Sequence, residues 1–385
     1  MGKCIRVGVL GHWGGNIGHG IMALGVQRIL KEAFGGQAEW LPIEQHRPFD
    51  IYPKWHPLRY AFLLNHGRGG TAMRPIKQLI NRRDISALLW QFSWVGTLDL
   101  GIACGGPLIT PHMSRGDLGL MHHHMFGAFA SKGLPLLNLS VGSGYPWEHV
   151  QKTLTDEENI KFLKRVFEYS SVTTVRDELA QRLCADIGEQ CELVLDTGLV
   201  AGNEFCRLAE RYIGQPCVVI NYQTYGANED WGQNVNPEVW RNTVWNLIAR
   251  IRGRYPLAFI CHNEHEVQLA EKMDTTIPRY QPKTMQEYAQ VISGAIAGIS
   301  NRLHAAIALA GIGVPTVAVG TDTRLGALQA IGLPCFYAKE ASAELLEETL
   351  ENLIRNRTSE NERLLFLREK TLNRYVEIVR NAIIH

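Results

Sequence analysis

Residues 294–325, GAIAGISNRLHAAIALAGIGVPTVAVGTDTRL, decide the fold. Positions 294–300 are small and apolar enough for a strand covered on both faces, and Asn301, Arg302 and His304 follow where a strand hands over to a helix. Residues 305–310 are good helix formers, closed by Gly311 and Gly313, and the apolar run after Pro315 reads as a second strand. The stretch is a βαβ unit with a basic loop at the carboxyl end of its first strand.

Ligands of open α/β sheets bind at that edge, and a helix amino terminus there favours an anion. A guanidinium that forks onto a carboxylate or phosphate, with an imidazole two residues on, can hold an anion and pass a proton. The plainer alternative stays open: Arg302 pairs with a nearby acid and His304 is a satisfied, half-buried histidine.

The run SNRLHA (300–305) followed by GIGVPTVAVGTDTR resembles the C-terminal signature of the polysaccharide pyruvyl transferase family. That signature has Arg-Leu-His on the strand-to-helix loop, matched by Arg302, Leu303 and His304, then Gly-x-Pro at Gly313 and Pro315, an apolar strand, and a basic residue two after an aspartate. The last pair is Asp322 and Arg324, with arginine where lysine is commoner.

Length and composition agree with a two-domain globular protein. A chain of 385 residues exceeds one ordinary core, and a net charge of +1 gives no sign of a nucleic-acid or membrane-surface partner. The first residues lack the apolar length of a signal sequence, and no stretch reaches the roughly 20 apolar residues of a spanning helix. The eight cysteines are scattered without a CxxC pair, so reduced thiols in a cytoplasmic protein are expected and a structural zinc is not.

In chain order, residues 5–10 predict a strand and GHWGGNIGHG (11–20) a glycine-rich turn into a helix over 21–34. Its glycines do not fall into the GxGxxG spacing of a dinucleotide site. They do resemble the family's Gly-Asn-x-Gly-Asp, read as Gly15, Asn16, Ile17 and Gly18, with His19 in place of the aspartate. A tight turn without a ligand is the alternative for these glycines. Residues 45–83 give no clear periodicity and are read as a binding loop or two short helices. Residues 100–104 predict a strand running into Gly105 and Gly106, a glycine pair the family also carries. The adjacent His122, His123 and His124 cannot all ligate one metal from a helix, and are read as polar lining of a cleft.

Residues 135–141 predict a strand followed by Ser143 at the same edge. A further strand, 172–175, leads into Val-Arg-Asp at 175–177, another family motif, followed by a helix and a strand over 193–196 ending in Asp196. Arg176 is thus a second candidate anion holder; a surface charge pair with Asp177 is the alternative. Residues 206–215 are polar enough for a linker, and strand alternates with helix again from 216. His262 and His265 have HxxH spacing without a third ligand, so His262 is assigned to the cleft rather than to zinc. Two helices, 342–356 and 359–383, close the chain.

The expected fold is therefore α/β, with two Rossmann-like parallel-sheet domains, 1–208 and 214–385, and a ligand cleft between them. The resemblance implies a GT-B-like arrangement. It also implies transfer of the pyruvyl group of phosphoenolpyruvate to a sugar hydroxyl pair as a ketal, with no cofactor and no metal. On that reading Arg302, Arg176 and His304 are the catalytic group. Asn301, Leu303, Asp322, Arg324, Ser143 and His262 contact substrate, and Gly15, Asn16, Gly105 and Gly106 face the acceptor sugar. The acceptor would be lipid-linked or nucleotide-linked, and contact with the inner face of the membrane at most peripheral. Two alternatives accompany this reading: a GT-B nucleotide-sugar glycosyltransferase, and a non-catalytic glycan- or anion-binding relative.

Overall fold

The computed structural model describes residues 4–12, 17–64, 83–115, 119, 122–209 and 215–384. Two wholly parallel sheets organise them. The first contains β1 (Ile5–Gly11), β2 (Ala38–Glu44), β3 (Leu100–Ala103), β4 (Gly106–Ile109), β5 (Leu136–Ser143), β6 (Val172–Val175) and β7 (Glu192–Leu193). Its order is β2-β1-β3-β5-β6-β7, with β4 added beside the distal half of β5. The second contains β8 (Cys217–Asn221), β9 (Leu257–Ile260), β10 (Arg279–Tyr280), β11 (Ala295–Ser300), β12 (Thr316–Gly320) and β13 (Cys335–Tyr337), in the order β10-β9-β8-β11-β12-β13.

Side chains of a strand alternate between faces, and here both faces are apolar because helices cover each side. Val7, Val9, Leu100, Ile102, Leu137 and Leu139 pack on one side of the first sheet, with Met22 and Val26 of α1 (Ile17–Phe34). Leu10, Ala103 and Leu136 face the other side, against Phe129 and Phe126. In the second sheet Val218, Ile220, Phe259, Ala297, Ile299 and Val317 share a core with Trp240 and Leu247.

Each sheet reverses direction once. The chain runs β1 to β2 and then returns to β3 on the far side of β1; it runs β8, β9, β10 and returns to β11 on the far side of β8. These switch points are where the loops after adjacent strands diverge and leave a crevice. The opening sequence stretch forms β11, α2 (Leu303–Gly311) and β12. The last helix, α3 (Arg357–Ile384), returns to the first sheet. Leu364 packs in the second half's core, while Leu372, Tyr375, Val376 and Val379 join Val7 and Val9.

Some sequence expectations shift. The first helix starts at Ile17 rather than 21. The strand expected over 193–196 is only Glu192–Leu193, because Asp196 leaves the sheet to cap the helix Thr197–Val200, accepting from Gly198 N–H at 2.7 Å. The stretch 45–83 holds two 3-10 segments, Pro48–Ile51 and Pro57–Leu64, and the start of a helix at Arg83; residues 65–82 are outside the described set. Gly106 and Pro107, read as loop, begin β4.

Candidate active site

The two switch points face one another across a cavity of about 310 Å³. The first sheet contributes Gly18 and His19 on the opening turn of α1, Gln45 and His46 after β2, and Gly105 and Gly106 after β3. From β5, from the end of β6 and from the π-helical turn His122–Phe126 come Asn138, Arg176 and His122. The second sheet contributes His262, Arg302, Leu303, His304 and Arg324. A larger concavity, about 640 Å³, lies at the opposite, amino-terminal edge of β8, β9 and β10. Parallel α/β sheets place ligands at the carboxyl edge, and the ionisable groups converge there, so the smaller cavity is the candidate site.

Three arginines line it, each anchored by a buried acid. Arg176 is 1 % exposed, and its Nη1 donates to Asp196 Oδ2 at 2.6 Å. Its Nε and Nη2 are buried with no hydrogen-bond partner. Arg302 directs Nε and Nη2 onto Glu266 Oε1 at 2.8 and 2.5 Å. Arg324 forks onto Asp322, Nε to Oδ1 at 2.8 Å and Nη2 to Oδ2 at 2.5 Å. Burial pushes the Asp196 carboxyl up, but the Arg176 guanidinium, His304 and the Gly198 amide together hold it below the usual carboxylate range.

His304, His262 and His19 are neutral near pH 7. Burial lowers His304 to about 3; Asp196 opposes that shift, and Arg176, His19 and Arg324 add to it. Its Nε2 is buried without a partner. Burial likewise lowers His262 to about 3, against the pull of Glu266. His262 Nε2 lies 3.2 Å from the Tyr288 hydroxyl. His19 is lowered to about 4 by burial and by His12 and His46; the His12 ring stands edge-on to His19, and the His46 ring edge-on to His12. Such a group can accept a proton or a hydrogen bond at neutral pH but does not carry a standing positive charge.

The sequence-predicted residues divide into two sets. Arg176, Arg302, Leu303, His304, Arg324, His262, Gly105 and Gly106 line the cavity. Gly105 and Gly106 have φ of 90° and 134°, and a Cβ on Gly105 would sit 2.4 Å from the Leu139 carbonyl, so the close approach requires glycine. Ser143, Asn301 and Asp322 instead build the frame. The Ser143 hydroxyl donates to Thr323 Oγ1 at 2.9 Å, joining the two halves. Asn301 accepts from Gln223 N–H and donates to the Val319 carbonyl. Asp322 holds Arg324 and accepts from the Trp231 indole at 3.2 Å. Gly15 and Asn16 lie outside the described residues.

Sequence reading missed Glu266 and Asn138. Glu266 sits in CHNEHE, one residue past the HxxH pair, where no spacing rule marks a lone acid. It is 2 % exposed and also accepts from Asn221, Gln223, Asn263 and the His262 N–H. Among the described residues no group of three or more His, Cys, Asp or Glu is placed to hold a metal ion. Helix α2 opens at the cavity without a side-chain cap, leaving first-turn N–H groups for an anion.

The sequence profile of the polysaccharide pyruvyl transferase family matches residues 16–323. No curated protein sequence matches significantly. Among solved structures, UDP-GlcNAc 2-epimerase from Neisseria meningitidis bound to UDP-GlcNAc is similar at TM-score 0.56 and 12% identity, over 98% of this chain and 99% of that one. A putative UDP-N-acetylglucosamine 2-epimerase from Listeria monocytogenes has TM-score 0.54 and 8% identity, over 94% and 90%. The apo structure of OtsA has 0.55 and 11%, over 99% of both chains. At these identities the likeness is one of fold, the GT-B arrangement of two parallel-sheet domains.

Proposed function

The chain belongs to the polysaccharide pyruvyl transferase family, and from that premise we propose that it transfers the pyruvyl group of phosphoenolpyruvate to a sugar of a cell-surface polysaccharide or its precursor. The product is a cyclic ketal on two hydroxyls, with release of phosphate. The observation that carries this reading is the convergence of Arg176, Arg302 and Arg324 on one cavity around His304.

The reaction needs positive charge, one proton delivered to carbon and two protons removed from oxygen. Protonating the donor methylene makes the adjacent carbon electrophilic, and the first sugar hydroxyl adds there as it loses its proton. Cleavage of the carbon–phosphate oxygen bond and addition of the second hydroxyl close the ketal. One hydroxyl proton balances the new methyl hydrogen and the other leaves with phosphate. Oriented donors in a water-poor cleft act strongly on such developing charge. Arg302, Arg324 and the uncapped start of α2 stabilise the departing phosphate. His304 exchanges the proton: neutral in the empty cleft, it becomes an acid when the donor's negative charge offsets the arginines. No cofactor and no metal enter the scheme.

The acceptor, lipid-linked or nucleotide-linked, enters from the side of His19, His46, Gly105 and Gly106. No described helix is long and apolar enough to cross a membrane. The proposal places the enzyme in the cytoplasm, with peripheral membrane contact at most. Calorimetric titration of phosphoenolpyruvate into the wild type and Arg302→Ala tests the donor. Binding lost in the variant supports the reading; a nucleoside diphosphate binding in place of phosphoenolpyruvate would overturn it in favour of a nucleotide-sugar glycosyltransferase.

A further inference from the structure

Exposed apolar side chains are ordinary when single and informative when they touch. In the segments between β2 and β3, Trp55 is 71 % exposed and Phe92 52 %, and their rings meet edge-on at 6.2 Å. The His56 ring lies 5.6 Å from Trp55 and 5.5 Å from Phe92, and is stacked on the buried Tyr52 at 4.9 Å. Tyr60, 56 % exposed, ties its hydroxyl to the Lys54 carbonyl beside Trp55 at 2.8 Å. Leu88, 66 % exposed, is on the helix that leads into Phe92, Arg83–Trp90. The backbone under these rings is fastened. Arg59 Nη1 donates to the Asp50 and Tyr52 carbonyls at 2.9 and 2.7 Å, the Trp94 indole to the Asp50 carbonyl at 2.8 Å, and the Ser93 hydroxyl to the Ile51 carbonyl at 3.2 Å. The fold thus holds a group of large apolar side chains in water without gaining their burial.

The charge beside the rings is positive. Lys54 adjoins Trp55, and Lys132 Nζ donates to the Gln91 carbonyl, next to Phe92, at 2.9 Å. The sequence from 51 to 83 carries seven lysines and arginines and no aspartate or glutamate, a local excess that the net charge of +1 conceals. Asp50 and Asp84 bound that stretch, and Asp50 lies 3.7 Å from Arg47. We propose that Trp55, Tyr60, Leu88 and Phe92, with Lys54 and Lys132 at their rim, are the face by which the protein sits on an anionic lipid bilayer. The ring bodies enter the boundary between headgroups and acyl chains, while the Tyr60 hydroxyl and the ammonium groups stay among the phosphates. Apolar insertion and attraction to anionic headgroups are each marginal alone, and together they hold. A second copy of the chain fits less well, because a symmetric pairing sets one basic stretch against the other. The face continues the segment that leaves the cavity wall at Gln45 and His46 and runs through Pro48–Ile51. A bilayer docked there lies on the half of the protein that carries His19, His46, Gly105 and Gly106, where a lipid-linked acceptor of the proposed reaction enters.

Sedimentation of the full chain with vesicles tests the face, using phosphatidylcholine alone and phosphatidylcholine with phosphatidylglycerol at about two to one. The wild type should pellet with the anionic vesicles and not with the neutral ones. Trp55→Ser combined with Phe92→Ser should weaken that partition by about tenfold or more, and Lys54→Gln by about fivefold, the equivalent of one cation near the surface. Salt at about 1 M should weaken wild-type binding by about tenfold. Trp245→Ser changes an exposed tryptophan on the helix Pro237–Ile251 of the second half, and should leave the partition within about twofold. The substituted side chains are exposed, so unfolding midpoints should match the wild type. Phosphoenolpyruvate calorimetry on the double variant should also match, because no cavity residue is changed; the face and the donor reading therefore fail in separate assays. The proposal is overturned if the wild type does not pellet with anionic vesicles, or if the double variant pellets as well as the wild type. Loss of a dimer from light scattering in the double variant would also overturn it, making the face a contact between copies.

Discussion

Arg302 and Glu266 form a fork in which two guanidinium nitrogens meet one carboxylate oxygen, and Glu266 is otherwise enclosed by three side-chain amides from two segments, the end of β8 and the loop after β9. The pair supplies the acid partner of the plainer alternative the sequence left open, and Arg302 lines the cavity as well. Arg302 has its acid, and that acid aims it into the cavity. Glu266 is thus the residue through which β8, β9 and the loop after β11 agree on where Arg302 stands. Glu266→Ala would leave a buried charge and several donors unmet, at a cost of about 3–5 kcal/mol. Urea unfolding should show that loss, with phosphoenolpyruvate affinity falling as well. A variant as stable as the wild type would refute the anchoring role.

Three cavity arginines are matched by three carboxylates, Asp196, Glu266 and Asp322, and His304, His262 and His19 are neutral. An arriving donor adds a carboxylate and a phosphate of about −1.5 to −2, so binding should draw a proton onto His304. Titrations at pH 7 in two buffers of different ionisation enthalpy should report net proton uptake, absent in His304→Ala. Equal apparent enthalpies in both buffers would remove His304 as the donor-armed acid.

The same burial has a stability consequence. His304 and His262 are lowered from the ordinary 6.5 to about 3, and His19 to about 4. The unfolded chain therefore binds more protons than the folded one between pH 6.5 and these values. Stability is complete above about pH 6.5 and is lost as pH falls toward 4. Unfolding midpoints across that range should drop, and His262→Phe, which cannot titrate, should flatten part of the slope. Independence from pH between 4 and 7 would contradict buried neutral imidazoles.

Much of this arrangement is legible in sequence, for physical reasons that differ by element. The βαβ unit at 294–325 is readable because its strands are apolar on both faces and its helix stops at glycine. Arg302, His304 and Arg176 are readable because polar residues at strand ends fall on one sheet edge. Asn138 is not, since it sits inside the apolar run PLLNLSV, two residues before the irregular backbone at Ser140. Ser143 was assigned to substrate on the same edge rule, but its hydroxyl meets Thr323, a partner 180 residues away that no local pattern encodes. The return of α3 is hidden likewise: the Tyr375 hydroxyl bonds the Leu195 carbonyl at 2.9 Å, 180 residues away.

The histidine group at the first switch point bears on the departure from the family pattern at position 19. His19 lies 5.0 Å, ring to ring, from His12, which bonds Glu44 Oε1 at 3.0 Å and stands 4.3 Å from His46. A carboxylate thus already serves this cluster, through Glu44. His19→Asp would add a second one, replacing an imidazole that lowers the His304 pKa with a carboxylate that raises it. The acid limb of the pH–rate profile should move upward by about half to one unit, with turnover retained. An unmoved profile would separate His19 from proton transfer.

Gly202 and Gly311 bring the two halves into backbone contact behind the site. A Cβ on Gly202 would lie 1.9 Å from the Gly311 carbonyl oxygen, which also accepts from Arg368 Nη1 at 2.9 Å. Backbone cannot yield there as a side-chain tip could. Gly202→Ala must push the carboxyl end of α2 away, at about 1–3 kcal/mol for overpacking or more. Because Arg302, Leu303 and His304 stand at the other end of the same short helix, the displacement should tilt them. Phosphoenolpyruvate affinity should then fall although no polar group has been removed, and the unfolding midpoint should drop by about 2–4 °C for each kcal/mol lost. A variant with a lowered midpoint but full affinity would mean that the cavity is positioned by its own loops, and not by this junction.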